Sequence, residues 1–247
     1  MHVINNMMRH LLICFSLLLT PIFAWAQEVY PSVDPKALYI TVDGDEIEDA
    51  SESQNAPLVA RFTANPSDVG EWTARYEWKI FRPGEEKTPL VHRFEEDLEY
   101  TFTESGTFHI QLYATFVLGN DTIPYPAEGE TGNPFVVNIS ESKLVFPNAF
   151  SPNEVPDSFN DTLKPKEYQS IVEFKAAVFS RWGQRIYSWE NIEGEWDGKW
   201  NGHLVNDGVY FLVVHAKGAD GRKYNIRKAI TVITGYNKES QGGGDEQ

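Results

Sequence analysis

The residues with the most chemical potential are oxygen donors. Asn153, Asp157, Asn160 and Asp161 lie close together in the chain and could offer oxygens to Ca²⁺. A second acidic run, Asp43-Gly-Asp-Glu-Ile-Glu-Asp49, has the density of a calcium loop but the wrong order. Ile47 stands where a ligand is needed and the glycine is misplaced, so a solvated acidic loop is expected. Trp189 and Trp200 could stack on sugar rings, as in a carbohydrate-binding module. The histidines at 92, 109, 203 and 215 have no H-x-H or H-x-x-x-H partner. The chain has no G-x-S-x-G elbow, P-loop or dinucleotide glycine fingerprint. Its carboxylates are too many to single out a glycosidase pair without a cleft. The expectation is a non-enzymatic protein with no catalytic residue and no cofactor beyond a weak Ca²⁺ candidate.

The elements that would position these residues follow from composition and pattern. The chain has 247 residues, a formal charge of −15, 41% hydrophobic residues and 13% aromatic residues. That aromatic content argues for packed cores. Residues 27–142 hold 7 Lys+Arg against 22 Asp+Glu, whereas residues 143–247 hold 13 against 14. The acidity therefore belongs to the first half. It disfavours nucleic acid and anionic lipid as partners.

The opening MHVINNMMRHLLICFSLLLTPIFAWAQ reads as a signal peptide. Arg9 and His10 precede an apolar run, Pro21 breaks it, and Ala24-Trp25-Ala26 offers cleavage after Ala26. The run is too short for a transmembrane helix of ~20 apolar residues. No transmembrane segment is expected in the mature chain. Cys14 is the one cysteine and lies inside this segment. The mature chain then has no disulfide, thiolate metal site or cysteine nucleophile.

Downstream, short alternating apolar runs are separated by Gly, Pro, Asn and Asp, which is an all-β pattern. Strands are expected at 38–42, 58–62, 76–80, 108–116 and 135–139, with a loop over 119–134. A second set is expected at 144–146, 171–179, 184–189, 208–216 and 224–233. Asp220-Gly221 predicts a tight primed hairpin turn. Both faces of 208–216 are largely apolar, which reads as a central strand. The fold expected is two tandem antiparallel β-sandwich, Ig-like domains after a cleaved signal peptide. Their bounds are 1–26 for the signal, 27–142 and 143–234 for the sandwiches, and 235–247 for a polar tail.

Residues 144–234 carry five ordered blocks. They are Phe146-Pro-Asn-Ala-Phe-Ser-Pro-Asn153 with Asn160-Asp-Thr162, Phe179-Ser-Arg-Trp-Gly183, Trp196-Asp-Gly198, Asn201-Gly202 and Asp207-Gly-Val-Tyr-Phe211. This stretch resembles the gliding-motility-associated C-terminal domain of Bacteroidetes exported proteins. That domain is also described as the type B sorting domain of the type IX secretion system. The resemblance implies that Trp182 and Trp196 are framework rings capping the core, leaving Trp189 and Trp200 freer. It also implies turns at Gly183 and Gly198. Where the family has Gly-Asp-Gly, this chain has Glu154-Val-Pro-Asp-Ser-Phe159. The family domain usually ends its chain, and the 13 residues after Thr234 predict partial masking of a terminal signal.

Residues 56–139 resemble a PKD or related Ig-like domain. The matching stretches are Ala56-Pro-Leu-Val59, Phe62-Thr-Ala64, Tyr76-Glu-Trp78 and Tyr100 to Leu112. Asp121-Thr-Ile123 and Asp161-Thr-Leu163 resemble Bacteroidetes O-glycosylation sites, making Thr122 and Thr162 candidates. Together the resemblances imply export through the inner membrane to the cell surface, outer membrane or medium, with the periplasm as fallback. The implied partner is an envelope protein, such as a translocon, or a surface glycan. A structural subunit of an envelope complex is a further reading. Arg222, Lys223, Arg227 and Lys228 on the last hairpin make the second domain the expected docking side.

Overall fold

The computed structural model describes residues 29–153 and 160–234. The expected signal segment with its cleavage at Ala26, the tail 235–247 and Asp157 lie outside the described residues. Every regular element among the described residues is a strand, so the chain is all-β.

The first group of strands builds two sheets around one core. One sheet runs Glu46–Ile47, Lys36–Ile40, Leu58–Thr63, Leu98–Phe102. The other runs Ala50–Gln54, Phe135–Ile139, Gly106–Leu118, Thr73–Phe81, Val91–Arg93. Inward positions alternate as the sequence pattern requires: Leu58, Ala60 and Phe62 are fully buried, as are Trp78 and Ile80. The Trp78 indole donates to the Glu96 carbonyl at 3.0 Å, which satisfies its buried polar end.

Two differences from the expected strands have physical causes. The presumed loop 119–134 contains a strand, Asp121–Tyr125, paired with the far half of Gly106–Leu118. Pro124 masks it in sequence, and an edge strand tolerates a residue without an N–H. Ala50–Gln54 is a polar edge strand running parallel to Phe135–Ile139, and it has no apolar alternation to betray it.

The second group forms a five-stranded sheet in the order Ala149–Phe150, Lys223–Val232, Gly208–Gly218, Ile171–Phe179, Arg185–Trp189. Its inner face presents Leu212, Val214, Ile230, Ala176 and Val178, all essentially without solvent contact. They share a core with Leu144, Leu163, Trp196 and Val205 from short ladders and loops. Only one side is covered in this way. Val209 and Phe211, on the outer face of the central strand, are 49% and 44% exposed. Gly208–Gly218 is the central strand of its sheet, as its two apolar faces predict, and its outer face is open among the described residues.

The Asp220-Gly221 turn also differs in kind. Gly218 N–H donates to the Arg222 carbonyl, enclosing three residues, and only Gly221 has positive φ, at 79°. This is the longer hairpin loop with glycine in the left-handed position, not a two-residue primed turn.

No sheet crosses residues 142–143, yet the two cores touch through that same hairpin loop. Ala219 is 7% exposed and packs in the core of the first sandwich, and Val172 leans on the same core. Ser105 N–H donates to the Ala219 carbonyl at 3.0 Å. Ala219 N–H in turn donates to the Ser170 carbonyl at 2.9 Å. The Ser170 hydroxyl, 1% exposed as a residue, lies 2.6 Å from the Ser140 hydroxyl and accepts from Ala56 N–H at 3.2 Å. Beside it, Ser142 donates to the Asp220 carboxylate at 2.7 Å. Gly218 permits this approach, since a Cβ there would sit 2.2 Å from the Ser142 Cβ.

Ser170→Ala removes the acceptor of the Ala56 N–H in a buried place, while the part-buried Ser140 hydroxyl keeps Asn55 as a partner. We expect a loss of about 1–3 kcal/mol in denaturant unfolding. Asp220 gives a second prediction. Burial pushes its carboxyl up, but hydrogen bonds from Ser142 and the Arg222 backbone hold it below the usual carboxylate range. A depressed folded value means stability present above the unfolded value of ~3.9 and lost as pH falls through the folded value. The stability gap between wild type and Asp220→Asn should therefore be full near neutrality and shrink below about pH 4.

Candidate functional site

Two of the sequence blocks of the second sandwich, Phe146–Asn153 and Trp196–Gly198, meet in its core. Phe146 and Phe150 both point into the core, at 3% and 2% exposure. The Phe150 ring meets the fully buried Trp196 ring at 5.3 Å between centroids. Trp196 is fixed at both ends. Its backbone exchanges two hydrogen bonds with Leu163, and its indole donates to the Lys199 carbonyl at 2.9 Å. Gly198 has φ 76°, and a Cβ there would lie 2.5 Å from Pro152 Cβ. The Trp-Asp-Gly block is thus a turn pressed against the Pro152 segment, where only glycine fits.

Between these segments lies an open groove of about 520 Å³. Asn148, Asn160 and Thr162 line it together with Lys164, Lys166 and Lys228. Lys164 is paired with Glu195 at 3.1 Å, and Lys228 donates to the Phe146 carbonyl at 2.5 Å. Chemically the groove offers ammonium groups and amides, which suit an acidic or amide-bearing chain.

The sequence candidates fare unevenly. Asn160 faces this lysine-lined groove, and Asp161 is fully buried within the fold. No cluster of three or more His, Cys, Asp or Glu fit for a metal exists among the described residues. The 43–49 run is a hairpin turn: Gly44 has φ 84°, and Asp49 accepts from the Ser51 N–H and hydroxyl. Those bonds hold its carboxyl below the ordinary carboxylate range.

The tryptophan assignments are corrected. Trp189 is 7% exposed and packs against Phe174 and Tyr187, so it cannot serve as half of a sugar platform. Trp200 is 40% exposed but stands without it. Trp182, expected in the core, is 83% exposed on the turn after Phe179. Thr162 is also corrected as a glycosylation candidate. It is 7% exposed and donates to Glu195 at 2.8 Å, so the folded domain withholds it from a transferase. Thr122 is exposed on an edge strand. The basic residues of the last hairpin are dispersed by strand alternation. Arg227 faces outward, Lys228 turns towards Phe146, and Arg222 lies 3.7 Å from Asp220.

The surface that sequence reasoning missed is the outer face of the five-stranded sheet. Phe179, Phe211 and Ala229 are register partners across three strands, with Ala177 and Val213 in the next row. Alternation alone could not show that this face lacks a covering layer among the described residues.

Residues 144–232 match the family model CHU_C, a type IX secretion signal domain. The match spans little more than a third of the chain. It corresponds to the second sandwich and implies export and recognition by the secretion machinery. No curated protein matches the chain. Among solved structures, dimeric latent PorU from Porphyromonas gingivalis is similar at 12% identity and a TM-score of 0.24. That likeness covers 83% of this chain and 20% of that one, and it supports no argument about function.

The two framework tryptophans should separate in a stability assay. Trp196→Ala should cost about 3–5 kcal/mol, as for a buried aromatic. Trp182→Ala should change stability by no more than about 0.5 kcal/mol, as for an exposed side chain. Urea unfolding of both variants checks the assignment.

Proposed function

We propose that this chain is an exported, non-enzymatic protein of the cell envelope that works by protein recognition. Its second sandwich acts as a sorting or anchoring module, and its first as an Ig- or PKD-like spacer or binding domain. The observation that carries this reading is the match of residues 144–232 to a type IX secretion signal domain. The matched blocks build a rigid end with a basic groove, a shape suited to docking. The order of the first sandwich's strands, with edge strand Ala50–Gln54 beside Phe135–Ile139, is compatible with an Ig-like spacer. Its acidity would keep it soluble and repel like-charged surfaces.

The test uses the full chain in a cell that carries a type IX system and in the same cell lacking its translocon. Surface protease and antibody accessibility report the location. The chain should be surface-exposed or released in the first strain and periplasmic in the second. An identical location in both strains would overturn the proposal.

A further inference from the structure

The open face of the five-stranded sheet is apolar at one end and basic at its border. Val209, Phe211 and Val213 form its central row, flanked by Phe179 and Ala229. Arg185 is the register partner of Phe179, and Arg227 that of Val213. Arg181 lies 5.1 Å from the centre of the exposed Trp182 ring. At the far end of the same face the cations are neutralised: Lys175 pairs with Glu190 at 2.7 Å and Lys217 with Glu173 at 3.4 Å. At the apolar end, no carboxylate of the described residues pairs with Arg181, Arg185 or Arg227. Asp207 is engaged by the Thr234 N–H and hydroxyl. The face therefore suits a ligand with an apolar knob beside carboxylates.

The first sandwich presents such a knob. Phe94 is 74% exposed, and Glu95, Glu96 and Asp97 follow it, all exposed. The loop is held from beneath. Trp78 donates to the Glu96 carbonyl at 3.0 Å, and Ala64 N–H to the Asp97 carboxylate at 3.2 Å. A loop fixed in this way loses little entropy on docking.

We propose that the outer face of the second sandwich docks the Phe94–Asp97 loop of a second copy, head to tail. Charge selects this arrangement among the contacts two copies can make. Two first sandwiches meeting each other bring together bodies with 7 basic against 22 acidic residues each. Two outer faces meeting each other place arginine against arginine. The loop on the face sets the Glu95 carboxylate against unpaired arginines and buries Phe94 against Phe211. The long-range repulsion of the acidic bodies is screened beyond ~8 Å at physiological salt, leaving the local pairs to decide. A head-to-tail contact joins unlike surfaces, so it extends into chains or closes as rings.

Sedimentation equilibrium of the chain purified from cells that export it tests the proposal, independently of the export route. The average mass of the wild type should rise with concentration. Phe211→Asp, which spoils the face, and Phe94→Ser, which removes the knob, should each remain monomeric while keeping the wild-type circular dichroism. Their mixture should form a one-to-one dimer, because one variant still has the loop and the other still has the face. A wild type that stays monomeric at every concentration would overturn the proposal. So would a wild type that assembles while the mixed variants do not. Binding to anionic phosphatidylglycerol vesicles that is lost in Arg185→Glu/Arg227→Glu, without self-association, would assign the face to lipid and equally overturn it.

Discussion

The architecture depends on a small buried contact between sandwiches, centred on Ser170 and Ala219. Ser170 adopts φ 45°, an uncommon value for a residue with a side chain. It holds that conformation while its carbonyl accepts from Ala219 and its hydroxyl meets Ser140 and the Ala56 N–H. Ala219 then sits in the first core although it belongs to a hairpin of the second. A methyl group and a few hydrogen bonds are modest one by one. They matter because Ser170, Ala56 and Ala219 are buried, and a buried group left unpaired costs more than a formed bond gains. The two sandwiches are therefore joined at a polar, geometrically specific junction.

That junction leaves the second sandwich with two contrasting surfaces. One side of its sheet is sealed by Leu144, Leu163 and Trp196 into a core. The other is open, with aromatic and aliphatic side chains in register and arginines around them. Strand alternation produces both from the same residues: Leu212 and Val214 face inward, whereas Phe211 and Val213 face outward. The first sandwich differs in electrostatics, with nearly all of the net charge of −15. The chain thus separates an acidic body from a nearly neutral one, fixed together.

Much of this order was legible in sequence. Ile171–Phe179 and Phe135–Ile139 fall where alternation placed them, because half-buried strands must alternate. The Trp196-Asp-Gly198 block announced a turn because glycine alone fits against Pro152. Other features depend on neighbours distant in the chain. Nothing around Ser170 marks it as a junction, since its partners lie at 56, 140 and 219. Trp182 and Trp189 exchanged expected places because burial of a large ring is decided by what packs over it. Nor does the sequence show that Asp161 is buried while its neighbour Asn160 lines a groove with lysines.

The central claim is that the two sandwiches behave as one body through the Ser170–Ala219 contact. Native-state hydrogen exchange in increasing denaturant, read by mass spectrometry, addresses it directly. The amides of Thr73–Phe81 report the first core and those of Gly208–Gly218 the second. The account predicts that both sets open with the same free energy and the same denaturant dependence. Two separate openings, with one core exchanging while the other remains protected, would contradict it.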